Sequence, residues 1–255
     1  MGHFKAALRN PVWYALQEAH QNFAIQYDGV AFYNPNVCPF GAFTNPKKTE
    51  QALLAYAKLT DTMFLVSERE VPEFDGSKIK LNRKIEGCQM VLGELEAVNM
   101  TETIIKLTEV HVNAIYDLIW LVMPGYYKKR TFDMGNYYGI FKDGKLVAIS
   151  GQRMQTNGFI EVSGVVTHPD YTRRGFAKQL TAHTTQAILE TGKLPILHTT
   201  KGNPAITLYK SLGFKITRAM NWWYFTKKIG CLSIFNTVFI KSRGQQFGYK
   251  LNHQW

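Results

Sequence analysis

The residues best placed to do chemistry run from Val165 to Ala177, reading Val-Val-Thr-His-Pro-Asp-Tyr-Thr-Arg-Arg-Gly-Phe-Ala. An apolar stretch that reads as a strand enters this segment and a helical pattern leaves it. Between them Gly175 permits a turn that aims successive backbone N–H groups at one spot, at the positive end of a helix dipole. Such a turn suits a pyrophosphate. Gly175 puts no side chain in its way, Ala177 keeps the helix start narrow, and Arg173 and Arg174 add charge. A basic strand-to-helix turn also occurs without any ligand, so the segment needs a second signal. Upstream, alternation would set Glu161, Ser163, Val165 and Thr167 on one face of the entering strand. Downstream, Asn203 as cap, Pro204 at the first position and Gly213 just past the end punctuate a helix that carries Tyr209.

The elements around these residues follow from turn chemistry and period. Thr108 can cap a helix whose Ile115, Leu118, Ile119 and Val122 share a stripe, and Pro124-Gly125 stops it. Strands over 138–142, 146–155 and 159–167 are separated by Asp143-Gly144 and Asn157-Gly158, which predicts an antiparallel meander. A helix over 177–191 and a strand over 194–200 complete a β-α-β crossover, whose strands must be parallel. Short strands over 215–217 and 222–226 predict a closing hairpin. The first half reads as a helix over 11–23, a hairpin of 24–27 and 30–33 across Asp28-Gly29, a helix over 48–59 and a strand over 62–67. Residues 68–83 are charged and carry Pro72 and Gly76, which predicts a loop before a strand over 85–95 and an interdomain connector over 96–102. No motif in this half carries chemistry of its own. The pattern is α+β, with a smaller α/β domain over 1–105, a second domain over 106–228, and a tail over 229–255 that has no clear period.

Composition narrows the class. The chain has 255 residues, 45% hydrophobic and 13% aromatic, enough for a packed core. Cys38, Cys88 and Cys231 are odd in number and widely spaced, which argues against a disulfide framework or zinc site and for a reducing cytoplasm. No apolar run has membrane-spanning length, and the start of the chain lacks a signal-peptide core. The net charge of +11 is uneven: residues 1–105 hold 10 bases and 12 acids, and the rest hold 20 and 7. A basic region of that kind attracts a polyanion, either a phosphate-bearing ligand such as CoA or nucleic acid, although it can also serve solubility alone.

The turn resembles that of the GNAT superfamily of acyl-CoA-dependent N-acyltransferases. The family pattern is Arg/Gln-x-x-Gly-x-Gly/Ala; here it reads Thr172-Arg173-Arg174-Gly175-Phe176-Ala177, departing at Thr172. Asn203-Pro204-Ala205-Ile206-Thr207-Leu208-Tyr209-Lys210-Ser211-Leu212-Gly213-Phe214 is similar to the family's segment of Asn, Ala, Tyr and a closing Gly-Phe, with Asn203 one residue nearer to Ala205 than in the family pattern. The resemblance spans about residues 107–226. Met123-Pro124-Gly125, Glu161-Val162-Ser163 and Leu197-His198 look most like a bacterial branch akin to glycine N-acyltransferase-like proteins. For that branch the resemblance implies a first half that is a reduced second copy of the same fold, which the residues themselves do not show.

The resemblance implies a central mixed, mostly antiparallel sheet flanked by helices, with its fourth and fifth strands parallel and splayed around the thioester. It implies acetyl-CoA as co-substrate, no metal, and acetyl transfer to the primary amine of a small molecule or amino acid by direct attack in a ternary complex. Val165, Val166, Thr167, Thr172, Arg173, Arg174, Gly175, Phe176, Ala177 and Asn203 would hold acetyl-CoA, with backbone groups of Val165 and Thr167 polarising the acyl carbonyl. Tyr209 stands where the family often has its general acid and Glu161 where a general base occurs, and a carboxylate in an apolar groove would have a raised pKa. Blander readings stand beside these. Tyr209 can simply pack, Glu161 can pair with Arg153 on the neighbouring strand, and His198 can be either a base or a satisfied core histidine. Of Trp222 and Trp223, alternation turns only one inward. Two other functions compete: a non-catalytic acyl-CoA-binding module, and a basic nucleic-acid binder. The latter lacks a helix-turn-helix, zinc or aromatic-sheet signature. Acceptor identity and oligomeric state are not encoded in any motif.

Overall fold

The structure is a computed structural model that describes residues 2–68 and 70–228; the tail read over 229–255 lies outside them. Helices α1 (Gly2–Arg9) and α2 (Pro11–Gln17) lead into strands β1 (Ala24–Tyr27), β2 (Val30–Tyr33) and β3 (Phe40–Phe43). Helix α3 (Thr49–Tyr56) follows, then β4 (Met63–Ser67) and the long β5 (Ile79–Leu92). The second half runs β6 (Ile105–Leu107), α4 (Val112–Val122), β7 (Tyr137–Lys142), β8 (Lys145–Gln155) and β9 (Phe159–Thr167). It continues with α5 (Phe176–Leu189), β10 (Leu194–Thr200), α6 (Ala205–Lys210) and β11 (Phe214–Lys227). All eleven strands form one sheet, ordered β1-β2-β3-β4-β11-β5-β10-β9-β8-β7-β6.

The meander forms as its turns predict, though by two devices. Asp143 and Gly144 both take positive φ, as a two-residue turn matching strand twist requires. The Asn157-Gly158 turn is instead held by Thr156, whose hydroxyl accepts from the N–H groups of Gly158 and Phe159. Across α5 the chain returns parallel, pairing Leu194 with Phe159 and Leu197 with Val162.

Two expectations fail for a shared reason. Residues 79–83, read as loop, belong to β5, and the closing hairpin is the single strand β11, which pairs with β5 from Phe214↔Leu92 to Lys227↔Ile79. A bulge between Ile216 and Arg218 supplies the irregularity that read as a turn. Each strand gains its length from a distant partner, information that local composition does not hold. Trp222 and Trp223 are both buried. Both faces of β11 are covered, Trp222 lying in the cluster with Val12, Ala15 and Leu16 and Trp223 in the cluster with Leu53 and Tyr56. The helix read over 11–23 ends at Gln17, and α1 and β3 were unforeseen.

A repeated arrangement organises the sheet. The order β1-β2-β3-α3-β4 matches β7-β8-β9-α5-β10: two antiparallel pairings, then a parallel one across a helix. The closing strands are exchanged. β5 follows β4 in the chain but pairs with β10, and β11 follows β10 but pairs with β4.

Candidate active site

The centre of the site is the place where β9 and β10 part. Their pairing ends at Val162 and Leu197, while β9 runs on to Thr167 and β10 to Thr200. β10 stays bound to β5 as far as Thr200, so it is drawn away from β9 and a wedge opens. On the other edge of β9, Ser163 faces Gly151 and Val166 faces Ile149, three steps against two. The extra residue is a bulge, and Gly164 takes φ +62 within it. That bulge breaks the alternation read from sequence. Val165 packs with the α5 and α6 cluster, whereas Val166 packs with Ile119 and Tyr137 beneath α4, so Val165 does not share a face with Glu161. A glycine inside a strand pattern was the available signal.

Beyond the wedge the chain turns through Pro169–Tyr171 into α5. Arg173 and Gly175 both have left-handed backbone, φ 62 and 78, and Gly175 is the N-cap of α5 without any side-chain cap. The first-turn N–H groups of a helix have no partner within it, so this end presents bare donors. Thr172, Arg173, Arg174 and Gly175 are exposed and Phe176 is buried, which seats the helix while leaving the turn open to a ligand. Arg174 is steadied by a hydrogen bond to the Asp170 carbonyl (3.2 Å) and by stacking on Tyr171. Asn203, one residue ahead of the N-cap Pro204, accepts through Oδ1 from Ala205 N–H (2.8 Å) and so closes the start of α6.

Tyr209, on α6, packs in the cluster that holds Val162 and Leu197, the last paired residues before the wedge. Burial pushes its phenol up to about 12, so it stays protonated at neutral pH.

Glu161 differs from expectation. Its side chain is 1% exposed and both oxygens are engaged. Arg153 donates to it twice, Nε to Oε2 (2.8 Å) and Nη2 to Oε1 (2.9 Å), and His198 Nδ1 donates to Oε1 (2.8 Å). Burial pushes the carboxyl up, but the Arg153 guanidinium and the hydrogen bonds outweigh it and bring the group down to about 2. The raised pKa expected from an apolar groove is therefore wrong, because the groove holds a cation; the pairing with Arg153 is the reading that fits. The polar chain continues: Gln89 Nε2 donates to His198 Nε2 (3.1 Å) and to the Leu8 carbonyl (2.8 Å), reaching the N-terminal helices. Gln89 carried no signal in sequence. Beside the bulge a small cavity is lined by Cys38, Tyr126, Tyr127, Tyr137, Arg153 and Ser163, so the first half contributes part of its wall. Cys38 and Cys88 are free thiols.

Comparison with known proteins agrees with this geometry. Residues 137–237 match the family model described as FR47-like protein. A GNAT-family protein from Novosphingobium aromaticivorans, described as an acetyltransferase, is 31% identical over 87% of this chain and 98% of its own, with a TM-score of 0.77. A GCN5-related N-acetyltransferase from Kribbella flavida (18% identity, 89% and 97% coverage, TM-score 0.59) shares the fold. So does a GCN5-related N-acetyltransferase-like protein from Streptococcus suis (16%, 89% and 98%, 0.59). No curated protein matches the chain. The chain belongs to the GNAT superfamily, and it is an N-acyltransferase that draws its acyl group from an acyl-CoA. Among the described residues no helix is long and apolar enough to cross a membrane, and no His, Cys, Asp and Glu cluster could hold a metal ion.

Proposed function

We propose that the protein transfers an acetyl group from acetyl-CoA to the primary amine of a small molecule or amino acid, by direct attack in a ternary complex. The observation that carries this reading is the wedge between β9 and β10 with the uncapped Gly175 turn at one side and Tyr209 at the other. In this reading the pyrophosphate lies on the amides of Arg174 to Ala177, Thr172 and Arg173 flank it, and Asn203 borders the cleft. The pantetheine follows the free edge of Val165, Val166 and Thr167, whose backbone polarises the acyl carbonyl. The amine attacks that carbonyl, the C–S bond breaks, and the Tyr209 hydroxyl protonates the departing sulfur.

The ammonium formed in attack must lose a proton. A Glu161 carboxyl near 2, with both oxygens occupied, is a poor acceptor. His198 is no better placed: its side chain is 1% exposed, with Nδ1 on Glu161 and Nε2 accepting from Gln89, so in this reading the ammonium sheds its proton to water in the open wedge. The acceptor enters from the cavity side, where residues of both halves meet. Residues 106–228 form the catalytic unit, and residues 1–105 are a diverged copy without an acyl-CoA site. Free thiols at Cys38 and Cys88 suit work in the cytoplasm.

The test is thiol release from acetyl-CoA against a panel of small primary amines and amino acids, with the acetylated product identified by mass. Amine-dependent release supports the reading. Tight acetyl-CoA binding with no release for any amine would instead support a non-catalytic acyl-CoA-binding module.

A further inference from the structure

Gln179 is an uncharged side chain held in a charged neighbourhood, 5% exposed and fully employed. It lies one turn into α5, where its own N–H closes the first turn on the Gly175 carbonyl (3.2 Å). Its Oε1 accepts from the N–H groups of Thr101 (2.7 Å) and Glu102 (3.0 Å), and its Nε2 donates to the Thr101 hydroxyl (3.1 Å). A Cβ built on Gly175 would stand 3.8 Å from that Nε2, so the amide lies against the turn itself.

The segment that Gln179 grips joins β5 to β6. At its start, Gly93 N–H donates to the Gly213 carbonyl (3.0 Å) and Glu96 N–H to the Leu212 carbonyl (3.4 Å), just past α6. The fit there is close: a Cβ on Gly213 would fall 1.7 Å from the Glu94 oxygen. Leu95 and Val98 pack against the cluster that contains Tyr209, and Ile104 packs against the one that contains Phe176. Glu102 is held by Lys142. The connector therefore reaches from the helix bearing Tyr209 to the helix bearing the Gly175 turn, and Gln179 is its fastening at the second.

We infer that Gln179 is a positioning residue for acyl-CoA, locking the Gly175 turn to the connector between the halves, and that its neutrality is what lets an anion lie beside it. The inference rests on the reading of that turn as the pyrophosphate site. Glutamate at this position would still accept from both connector N–H groups, and the Thr101 hydroxyl can turn to donate. It would keep the fastening while placing a negative charge next to the bound pyrophosphate. Leucine would remove the fastening.

The experiment is calorimetric titration with acetyl-CoA of wild type, Gln179→Glu, Gln179→Leu and Gly175→Gln, each with a thermal melt. It is paired with steady-state kinetics and hydrogen exchange at Thr101 and Glu102. Gln179→Glu should bind acetyl-CoA about 10-fold or more weakly, raise its KM and keep kcat at saturation, with a melt close to wild type. In wild type, acetyl-CoA should slow exchange at Thr101 and Glu102, and Gln179→Leu should abolish that slowing. A merely structural Gln179 would move melting temperatures and leave the acetyl-CoA KM of Gln179→Glu alone. That result, with binding lost in Gly175→Gln, overturns the inference while the site reading survives. Wild-type affinity in Gly175→Gln as well would show that the turn is not the anion site, and the inference falls with it.

Discussion

Among the described residues two β-α-β crossings share one design, and they part company at the start of the helix. In the second, β9 enters α5 through Arg173 and Gly175 with left-handed backbone, and the helix starts without a side-chain cap. In the first, β3 enters α3 through Asn45, Pro46 and Thr49. The Asn45 side chain accepts from Lys47 N–H (3.1 Å), and the Thr49 hydroxyl donates to the Pro46 carbonyl (2.7 Å). β3 is four buried residues long and pairs with β2 without a register shift, whereas β9 runs nine residues and carries the Gly164 bulge. The two crossings share a topology; what sets the second apart is a helix start left bare by glycine, a bulge that reaims the strand, and a buried charge pair beside it.

The largest effect should come from breaking that pair, which the first crossing lacks. Glu161→Gln leaves the Arg153 guanidinium buried and unmatched, with an expected cost of about 3–5 kcal/mol, read by chemical denaturation. An unchanged midpoint would mean that water already reaches the pair.

Tyr209→Phe keeps the ring in its cluster and removes the proton. We expect kcat to fall about 10- to 1000-fold with little change in stability. A loss confined to the KM for acetyl-CoA would make Tyr209 a binding residue.

His20 joins the halves, bonded to the Tyr33 hydroxyl (2.9 Å) and to the Met134 carbonyl (3.2 Å). Burial pulls its imidazole down to about 4, below the ordinary 6.5. The unfolded chain therefore binds the proton more readily. The associated stability is present above pH 6.5 and is lost as pH falls from 6.5 toward 4, in total on the order of 3 kcal/mol. Melting temperature against pH should show this slope, and His20→Gln should flatten it.

The smallest effect belongs to the first crossing. Asn45→Ala removes a cap and should cost about 1 kcal/mol of stability while leaving acetyl-CoA affinity untouched. A drop in affinity would mean that the first crossing takes part in binding after all.

The sequence reveals most where structure is local. Asp143-Gly144, the capped helix from Asn203 and the Gly175 turn can be read because each depends on a few adjacent residues. The exchange of β5 and β11 is not legible, since each strand is stabilised by a partner more than a hundred residues away. The fate of Glu161 lies between these cases. Arg153 is visible as a neighbour across the β8–β9 hairpin, yet the buried fork of Arg153, Glu161, His198 and Gln89 needs four strands brought together. Gly164 alone hinted at the bulge, and one glycine in a strand does not say which way the following residues turn.

The central claim, that the bare helix start at Gly175 is where acyl-CoA is held, is tested most directly by titrating acetyl-CoA into wild type and Gly175→Gln in a calorimeter. A glutamine there must adopt left-handed backbone and project into the pyrophosphate position, while the exposed turn can absorb the change without unfolding. One saturable site in wild type, lost or greatly weakened in the variant at a similar melting temperature, is the predicted result. Equal affinity in both proteins would contradict it.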